Sequence, residues 1–178
     1  MSYGRIELQY AEPFARALVE SLDFKKWVLE QTQFSAHADT ARLMHEEAKA
    51  RRTPSAGSWW RSFYTKSCKC PGCSEQETDL LAVFSTGAFR FALHCEFKRP
   101  GDGFSRNSRQ AENYGLRAKC WSQSPPSTVL PHDAADTVLI FAEEQRAAFS
   151  SQIQEFGSAL TFETITMVLP RRIDIPSI

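Results

Sequence analysis

A carboxylate and an amine, Glu96 and Lys98, stand two residues apart in the sequence, and a second carboxylate, Asp79, lies upstream. Carboxylate oxygens are ligands that Mg²⁺ and Mn²⁺ prefer, and a bound Mg²⁺ can neutralise the charge of a phosphodiester and supply a nucleophilic water. A nearby ammonium group can orient that water or stabilise the charge that develops on the phosphate. These residue types therefore predict a Mg²⁺ (or Mn²⁺) site made by Asp79 and Glu96, with Lys98 assisting phosphodiester hydrolysis.

The distribution of β-forming residues indicates how these side chains would meet. Residues 59–64, 79–84 and 88–97 are rich in β-formers, and loops that contain Pro-Gly and Ser-Thr-Gly separate them. We expect a three-stranded antiparallel meander whose second and third strands are joined by a tight hairpin. Alternation places Glu96 and Lys98 on one face of the third strand, roughly 6.5 to 7 Å apart, and its odd-numbered residues on the core face. The hairpin then brings Asp79 opposite the end of the third strand.

Helical periodicity and capping residues predict an α/β fold around that meander. The expected helices cover residues 12–33 (with a break near 21–23), 39 or 40 to 52, 109–121 and 143–156, and the further strands cover 137–142 and 161–169. Asp39 or Thr40 would cap the second helix, and Gly157 would end the last one. The third helix and the strand after it would form a crossover from the meander back into the sheet.

The pattern of Asp79 followed by Glu96-x-Lys98 on the next strand resembles the acidic-(x)n-Glu-x-Lys signature of the PD-(D/E)XK nuclease superfamily. The expected order of helix, three strands, helix and strand is also similar to the core of that family. The resemblance covers about residues 39–142, and Thr78 stands where the signature has proline. It implies a restriction-endonuclease-like fold, a three-layer α-β-β-β-α-β core with a central mixed β-sheet flanked by helices.

The resemblance also implies further site residues and a substrate. In many members the helix after the Glu-x-Lys strand carries a glutamine and, four residues later, an aromatic residue, and Gln110 and Tyr114 stand at those places. The helix before the first core strand often contributes a glutamate, to which Glu46 corresponds, with Glu47 as the alternative. By this resemblance the protein is expected to be a Mg²⁺-dependent nuclease that acts on DNA. The sequence leaves RNA open as the alternative substrate, and it leaves open whether the protein is a monomer or a homodimer.

Three cysteines, Cys68, Cys70 and Cys73, cluster in the loop between the first two strands of the meander. A turn that presents three thiolates could hold Zn²⁺, with a fourth ligand from Cys120, His94 or elsewhere. No second Cys-x-x-Cys pair completes the motif, so reduced thiols without metal are the alternative interpretation. His94 shares the strand face of the acidic site, where it would be either part of that site or a hydrogen-bonded structural residue.

Length and composition bound the class of protein. The 178 residues suit one domain, which the predicted elements divide into a helical extension (1–38), a nuclease-like core (39–142) and a C-terminal helix and strand (143–178). The 21 basic and 21 acidic residues balance, so the whole molecule offers no strong field to a charged partner. No signal-like N-terminus or membrane-length apolar run occurs, which predicts a soluble cytoplasmic protein without a membrane partner.

Two basic stretches, within residues 51–69 and 98–119, flank the predicted site. Three tryptophans accompany them: Trp59, Trp60 and Trp121. These residues could hold phosphates and stack on unpaired bases, or they could be a solvated face and ordinary core. In the same way, Glu96 and Lys98 could be a solvated rung of an exposed sheet. The rival hypothesis is therefore a non-catalytic module that binds nucleic acid or protein, with zinc in its cysteine loop.

Overall fold

The computed structural model of the protein describes residues 3–52, 57–63, 68–74, 77–104 and 109–176. Its helices are α1 (Tyr3–Glu20), α2 (Leu22–Glu30), α3 (His45–Arg51), α4 (Gln110–Gln123), α5 (Ser150–Ile153) and α6 (Phe162–Val168). Its strands are β1 (Arg42–Leu43), β2 (Arg61–Phe63), β3 (Thr78–Ser85), β4 (Arg90–Lys98), β5 (Ala134–Phe141) and β6 (Ser158–Thr161). Within the described ranges, no helix is both long and apolar enough to cross a membrane.

The strands form one mixed sheet in the order β1-β3-β4-β5-β6, and β2 pairs with the start of β3. The pairs that involve β3 are antiparallel, whereas β4 pairs in parallel with β5, and β5 with β6. The predicted meander of β2, β3 and β4 is therefore confirmed, although residue 64 at its edge lies outside the described residues. The predicted crossover through α4 to a parallel strand, β5, is confirmed as well. The chain is an α/β protein with a mixed sheet flanked by helices.

The sheet is covered on both faces. On β4, Phe91, Leu93 and the other odd-numbered residues pack into the main core with Phe14 of α1 and Phe24 of α2, as alternation predicts. Ala92 points to the opposite face and packs with a second cluster beneath α4. Burying a large apolar side chain contributes about 1.5 to 3 kcal/mol, so the two faces together hold β4 at the centre of the protein.

Two features of the N-terminal half show how local and long-range signals compete. Ser21 interrupts the first helical stretch, as predicted, because its hydroxyl accepts the Phe24 N–H at 3.1 Å and caps α2. The helix predicted from Asp39 or Thr40 begins only at His45. The intervening residues pair as β1 with the end of β3, with Arg42 and Leu43 opposite Ser85 and Phe84. Strand pairing between distant segments thus shortens the helix.

The last predicted helix is wrong. Instead of one helix over 143–156, the chain makes a 3₁₀ turn at Glu143–Gln145 and the short α5. The side-chain amide of Gln145 is the physical reason, because it donates to the carbonyl oxygens of Arg99 and Asp102, and its oxygen accepts the Ala142 N–H. Gly157 is no C-cap: a Cβ there would lie 1.8 Å from Asp136 Oδ1, so the glycine permits a close approach to β5.

The last predicted strand, over 161–169, is also wrong beyond its first residue. Strand β6 ends at Thr161, and the following residues form α6. The Thr161 hydroxyl accepts the Thr164 N–H, and the Thr164 hydroxyl accepts the Thr161 N–H, each at 3.3 Å. This reciprocal cap starts a helix in a sequence whose β-branched residues favour a strand.

Candidate functional site

The hairpin register brings Asp79 to Glu96. Leu80 of β3 lies opposite Cys95 of β4, so the next pair towards the end of β4 is Asp79 with Glu96. Asp79 Oδ2 accepts the backbone N–H of Phe97 at 2.8 Å, which fixes the carboxyl group against β4. The two carboxyl groups face each other across the strand pair, and the charge of Glu96 acts on Asp79. This acid cluster lies where β3 begins and β4 ends.

Helix α4 supplies the remaining members of the acid cluster. Gln110 Nε2 donates to Glu96 Oε1 at 2.7 Å, and the Tyr114 hydroxyl donates to Glu96 Oε2 at 2.5 Å. Lys98 Nζ lies 2.6 Å from Glu96 Oε1 and donates to Gln110 Oε1 at 3.1 Å. The structure thus brings together Asp79, Glu96, Lys98, Gln110 and Tyr114. Since Gln110 and Tyr114 are four residues apart, they face the sheet from one side of α4.

The acid cluster is buried. Glu96 is 2% exposed, Lys98 is 9% exposed and Tyr114 is fully buried, whereas Asp79 keeps partial contact with solvent. The alternative in which Glu96 and Lys98 form a solvated rung is therefore wrong. Burying charges costs free energy unless partners and hydrogen bonds compensate, so a buried cluster of this kind is a candidate functional site.

The surroundings raise the pKa values of three residues of the acid cluster: Asp79, Lys98 and Tyr114. Burial, followed by the neighbouring charge of Glu96, raises the pKa of Asp79 well above its usual range, although the Phe97 N–H opposes the shift. Burial lowers the pKa of Lys98, but the carboxylates of Glu96 and Asp79 outweigh it and the net pKa is raised. Burial and the charge of Glu96 raise the pKa of Tyr114. Lys98 therefore stays charged, and Tyr114 stays protonated and able to donate.

The four cysteines Cys68, Cys70, Cys73 and Cys120 form a second cluster, whose sulfur atoms all lie within 4.8 Å of one another. Such a cluster could bind a metal ion such as zinc. Cys120, on α4, is the fourth member. His94, the other candidate named above, is fully buried between the rings of Trp121 and His132, with neither ring nitrogen bonded to any described residue. This cysteine cluster joins the loop before β3 to α4.

The thiols of the cysteine cluster differ in acidity. A hydrogen bond with the backbone of Cys70 is the main cause that lowers the pKa of Cys68 to about 7. Burial raises the pKa of Cys73 well above its usual range and that of Cys120 to about 11. Burial therefore favours the protonated thiols of Cys73 and Cys120, whereas Cys68 ionises more readily than either.

Arg117 connects the two clusters, whereas its place in the second basic stretch predicts a phosphate-binding or a solvated side chain. It is fully buried on α4, with Nε donating to the Gly72 carbonyl at 3.0 Å and Nη1 donating to Thr78 Oγ1 at 2.6 Å. Its spacing from Tyr114 and Trp121, three and four residues away, was the available signal, because that spacing puts it on the buried face of α4. Arg117 thus links the cysteine turn to the residue before Asp79.

Glu46 does not join the acid cluster. Its side chain is 74% exposed, and its carboxylate lies 3.2 Å from the His45 ring. The helix that carries it starts beside Val83, whose carbonyl accepts the Met44 N–H, and Val83 is four residues, about 13 Å, along β3 from Asp79. The alternative glutamate is also engaged elsewhere, since Glu47 pairs with Arg42 at 2.6 Å.

Most described arginines of the two basic stretches bind acceptors within the protein. The pairs are Arg51 with the Val129 carbonyl, Arg52 with the Arg61 carbonyl, Arg99 with Asp102 and Arg109 with Glu112. Lys66 and Arg106 lie outside the described residues. Trp60 and Trp121 are buried, so they belong to the core and are not platforms for bases. The acid cluster, rather than a basic surface, is therefore the feature that bears on function.

Comparison with protein family models, with curated proteins and with solved structures finds no match for this chain. The geometry of the acid cluster and of the cysteine cluster is therefore the basis for any functional assignment.

Proposed function

We propose that the protein is a Mg²⁺-dependent nuclease with a restriction-endonuclease-like fold that hydrolyses phosphodiester bonds in DNA. The observation that carries the proposal is the placement of two carboxyl groups, Asp79 and the buried Glu96, opposite each other on β3 and β4, with the Lys98 ammonium 2.6 Å from Glu96. An ion pair that only stabilised the fold would need one carboxylate, because the second raises the pKa of the first and opposes its ionisation. A divalent cation would remove that repulsion.

The donor set fits Mg²⁺, which binds through one or two carboxylates and keeps several waters. Glu96 accepts three hydrogen bonds, from Lys98, Gln110 and Tyr114, while a carboxylate offers about four acceptor sites. Asp79 uses Oδ2 for the Phe97 N–H and keeps partial contact with solvent. Held by Asp79 and Glu96, Mg²⁺ would neutralise charge on the phosphate oxygens and supply a nucleophilic water.

The other residues of the acid cluster fix the positions of Glu96 and Lys98. Gln110 binds Glu96 through its amide nitrogen and Lys98 through its amide oxygen, so it sets the distance between the carboxylate and the ammonium. Tyr114 holds the far oxygen of Glu96. Lys98, whose Nζ also lies 4.6 Å from the centre of the Phe104 ring, keeps its charge at one place. A fixed ammonium can stabilise the negative charge that develops on a phosphate during attack without reorganising.

The order of elements supports the same proposal. Helix α3, the antiparallel strands β2, β3 and β4, helix α4 and the parallel strand β5 follow one another in the order expected of a PD-(D/E)XK core. The position of Gln110 and Tyr114 against Glu96 also agrees with the roles that the resemblance implies. Glu46 is left out of the proposed site because its carboxylate pairs with His45 instead.

Metal-dependent cleavage by the purified protein tests the proposed function. Single-stranded DNA, double-stranded DNA and RNA of matched sequence are each incubated with the protein in Mg²⁺, in Mn²⁺, or in EDTA. We expect DNA cleavage in Mg²⁺ and Mn²⁺ and none in EDTA, with activity restored when Mg²⁺ is returned in excess. Cleavage of RNA alone would correct the substrate. Binding of nucleic acid without cleavage in any metal would favour the non-catalytic module.

Magnesium binding is expected to release a proton and to weaken as the pH falls. The raised pKa of Asp79 means that its carboxyl keeps a proton above pH 4 or so, where an ordinary aspartate is ionised, and Mg²⁺ must displace that proton. The affinity should fall by up to about tenfold per pH unit below that pKa. Calorimetric titration with Mg²⁺ in two buffers of different ionisation enthalpy measures the released proton. A pH-independent affinity without proton release would show that Asp79 is not a ligand.

A further inference from the structure

We propose that Cys68, Cys70, Cys73 and Cys120 bind one Zn²⁺ ion in a closed structural site that fastens the segment before β3 to helix α4. The four sulfur atoms lie within 4.8 Å of one another, and those of Cys68 and Cys120 are 3.8 Å apart. A tetrahedral zinc site with Zn–S bonds of about 2.3 Å places its sulfurs about 3.8 Å apart. Four thiolates fill that coordination sphere, so the ion would be structural rather than catalytic.

The turn that carries three of these cysteines is built to lie against α4. The backbone N–H groups of Cys73 and Ser74 both donate to the Cys70 carbonyl at 3.0 Å, which folds the chain back on itself. At Gly72, a Cβ would lie 2.4 Å from the backbone nitrogen of Arg117, so only glycine allows the turn to approach the helix this closely. The fourth sulfur, Cys120, is then within reach of the other three.

Polar side chains of α4 on either side of Cys120 hold the turn in place. Arg117 donates to the Gly72 carbonyl at 3.0 Å, and Trp121 Nε1 donates to Cys73 Sγ at 3.1 Å. An N–H donor aimed at a cysteine sulfur stabilises the thiolate and orients it, as the hydrogen-bond partners of metal ligands generally do. The four sulfur atoms are therefore accompanied by a buried arginine and a buried indole N–H that fix the position of the turn, as expected of a metal site.

The zinc site would also set the spacing of the acid cluster, a consequence that rests on the proposed function. The residue before Asp79, Thr78, accepts a hydrogen bond from Arg117, and the backbone N–H of Asp79 lies 3.4 Å from the Tyr114 hydroxyl. Helix α4 and the start of β3 must therefore keep one spacing for Tyr114 to reach Glu96. Zinc bound between Cys120 and the turn would hold that spacing.

Metal content and metal spectroscopy of the full chain test the zinc proposal without any cleavage assay. We expect about one zinc ion per chain by elemental analysis, and four sulfur neighbours at about 2.3 Å by X-ray absorption. Exchange with Co²⁺ should give the charge-transfer absorption of cobalt bound to thiolates. Cys120→Ser should lose at least about tenfold in zinc affinity and unfold at a lower temperature. Cys95→Ala is the matched control, because Cys95 lies buried in the main core, and it should keep its zinc.

The wild-type measurements decide the matter even where Cys120→Ser fails to fold. Protein produced with zinc that contains almost none, and that shows no thiolate-to-cobalt absorption, would overturn the proposal. A coloured protein that contains iron in place of zinc would overturn it as well. Zinc without nuclease activity would leave this site standing and remove the proposed function, whereas cleavage by a zinc-free protein would do the reverse.

Discussion

Replacing Asp79 by asparagine is expected to reduce Mg²⁺-dependent cleavage by a factor on the order of 10³ or more, about 4 kcal/mol in activation free energy. Asparagine keeps the shape of the side chain, and its amide oxygen can still accept the Phe97 N–H that Asp79 Oδ2 accepts at 2.8 Å. What it removes is one anionic oxygen ligand of the proposed metal site. The loss should therefore come from metal binding and catalysis, with the fold retained.

The same substitution should make the metal-free protein more stable. Because the folded-state pKa of Asp79 is raised, the folded protein loses stability as the pH rises from about 4 through that pKa. Asparagine carries no charge, and its amide can donate to Glu96. We therefore expect a gain on the order of 1 to 2 kcal/mol at pH 8 that disappears near pH 4, where aspartate is neutral in both states.

Chemical denaturation at several pH values measures the stability change, and cleavage at saturating Mg²⁺ measures the activity change. Asp174→Asn is the matched control, because Asp174 is exposed and the same chemical change there should alter neither quantity. If Asp79→Asn keeps cleavage within tenfold of the wild type, Asp79 is no metal ligand. If it destabilises the protein at pH 8, Asp79 stabilises the fold rather than straining it.

The acid cluster follows from rules that act over short distances in sequence. Period-two alternation places Glu96 and Lys98 on one face, and a tight hairpin places Asp79 beside Glu96, with no knowledge of the remaining chain. Gln110 and Tyr114 needed the family resemblance, because periodicity alone tells which face of α4 they occupy but not what they contact. Their contacts with Glu96 depend on how the crossover helix packs on β4.

The features that escaped prediction depend on contacts between distant segments. A two-residue strand, β1, forms only because the end of β3 is there to pair with it. The 3₁₀ turn after β5 is fixed by Gln145, which binds carbonyl oxygens in the loop after β4. The burial of Arg117 depends on the packing of α4 against the segment before β3, where Arg117 donates to Gly72 and Thr78. Composition could not reveal any of these contacts.

The two ends of α4 hold two different clusters of polar side chains in the interior of the protein. Its first turns hold Gln110 and Tyr114 against Glu96, and its later turns hold Arg117 and Cys120 against the cysteine turn. A well-packed apolar residue in place of a buried ion pair is often neutral or stabilising, so stability alone does not account for these charges. The proposed site, in which a divalent cation binds the two carboxylates beside Lys98, accounts for them better.

Replacing Lys98 by methionine should destabilise the protein most when no divalent cation is bound. Lys98 Nζ lies 2.6 Å from Glu96 Oε1 and keeps its charge beside two carboxyl groups. Methionine fills the space of the stem but removes the cation that contacts Glu96. Removing one partner of a buried pair costs about 3 to 5 kcal/mol, and we expect a loss near the lower figure because Asp79 can take up a proton.

Magnesium should reverse most of that loss, because a divalent ion held by Asp79 and Glu96 supplies the charge that methionine lacks. The variant should bind Mg²⁺ at least as tightly as the wild type, since an ammonium repels the ion, yet cleave about 10² to 10³ times more slowly for want of that ammonium. Thermal unfolding with and without Mg²⁺, together with cleavage rates, measures both effects, and Lys119→Met on the exposed side of α4 is the control. An Mg²⁺-induced rise in melting temperature no larger in Lys98→Met than in the wild type would mean that Lys98 only balances charge in the fold, and that the metal site lies elsewhere.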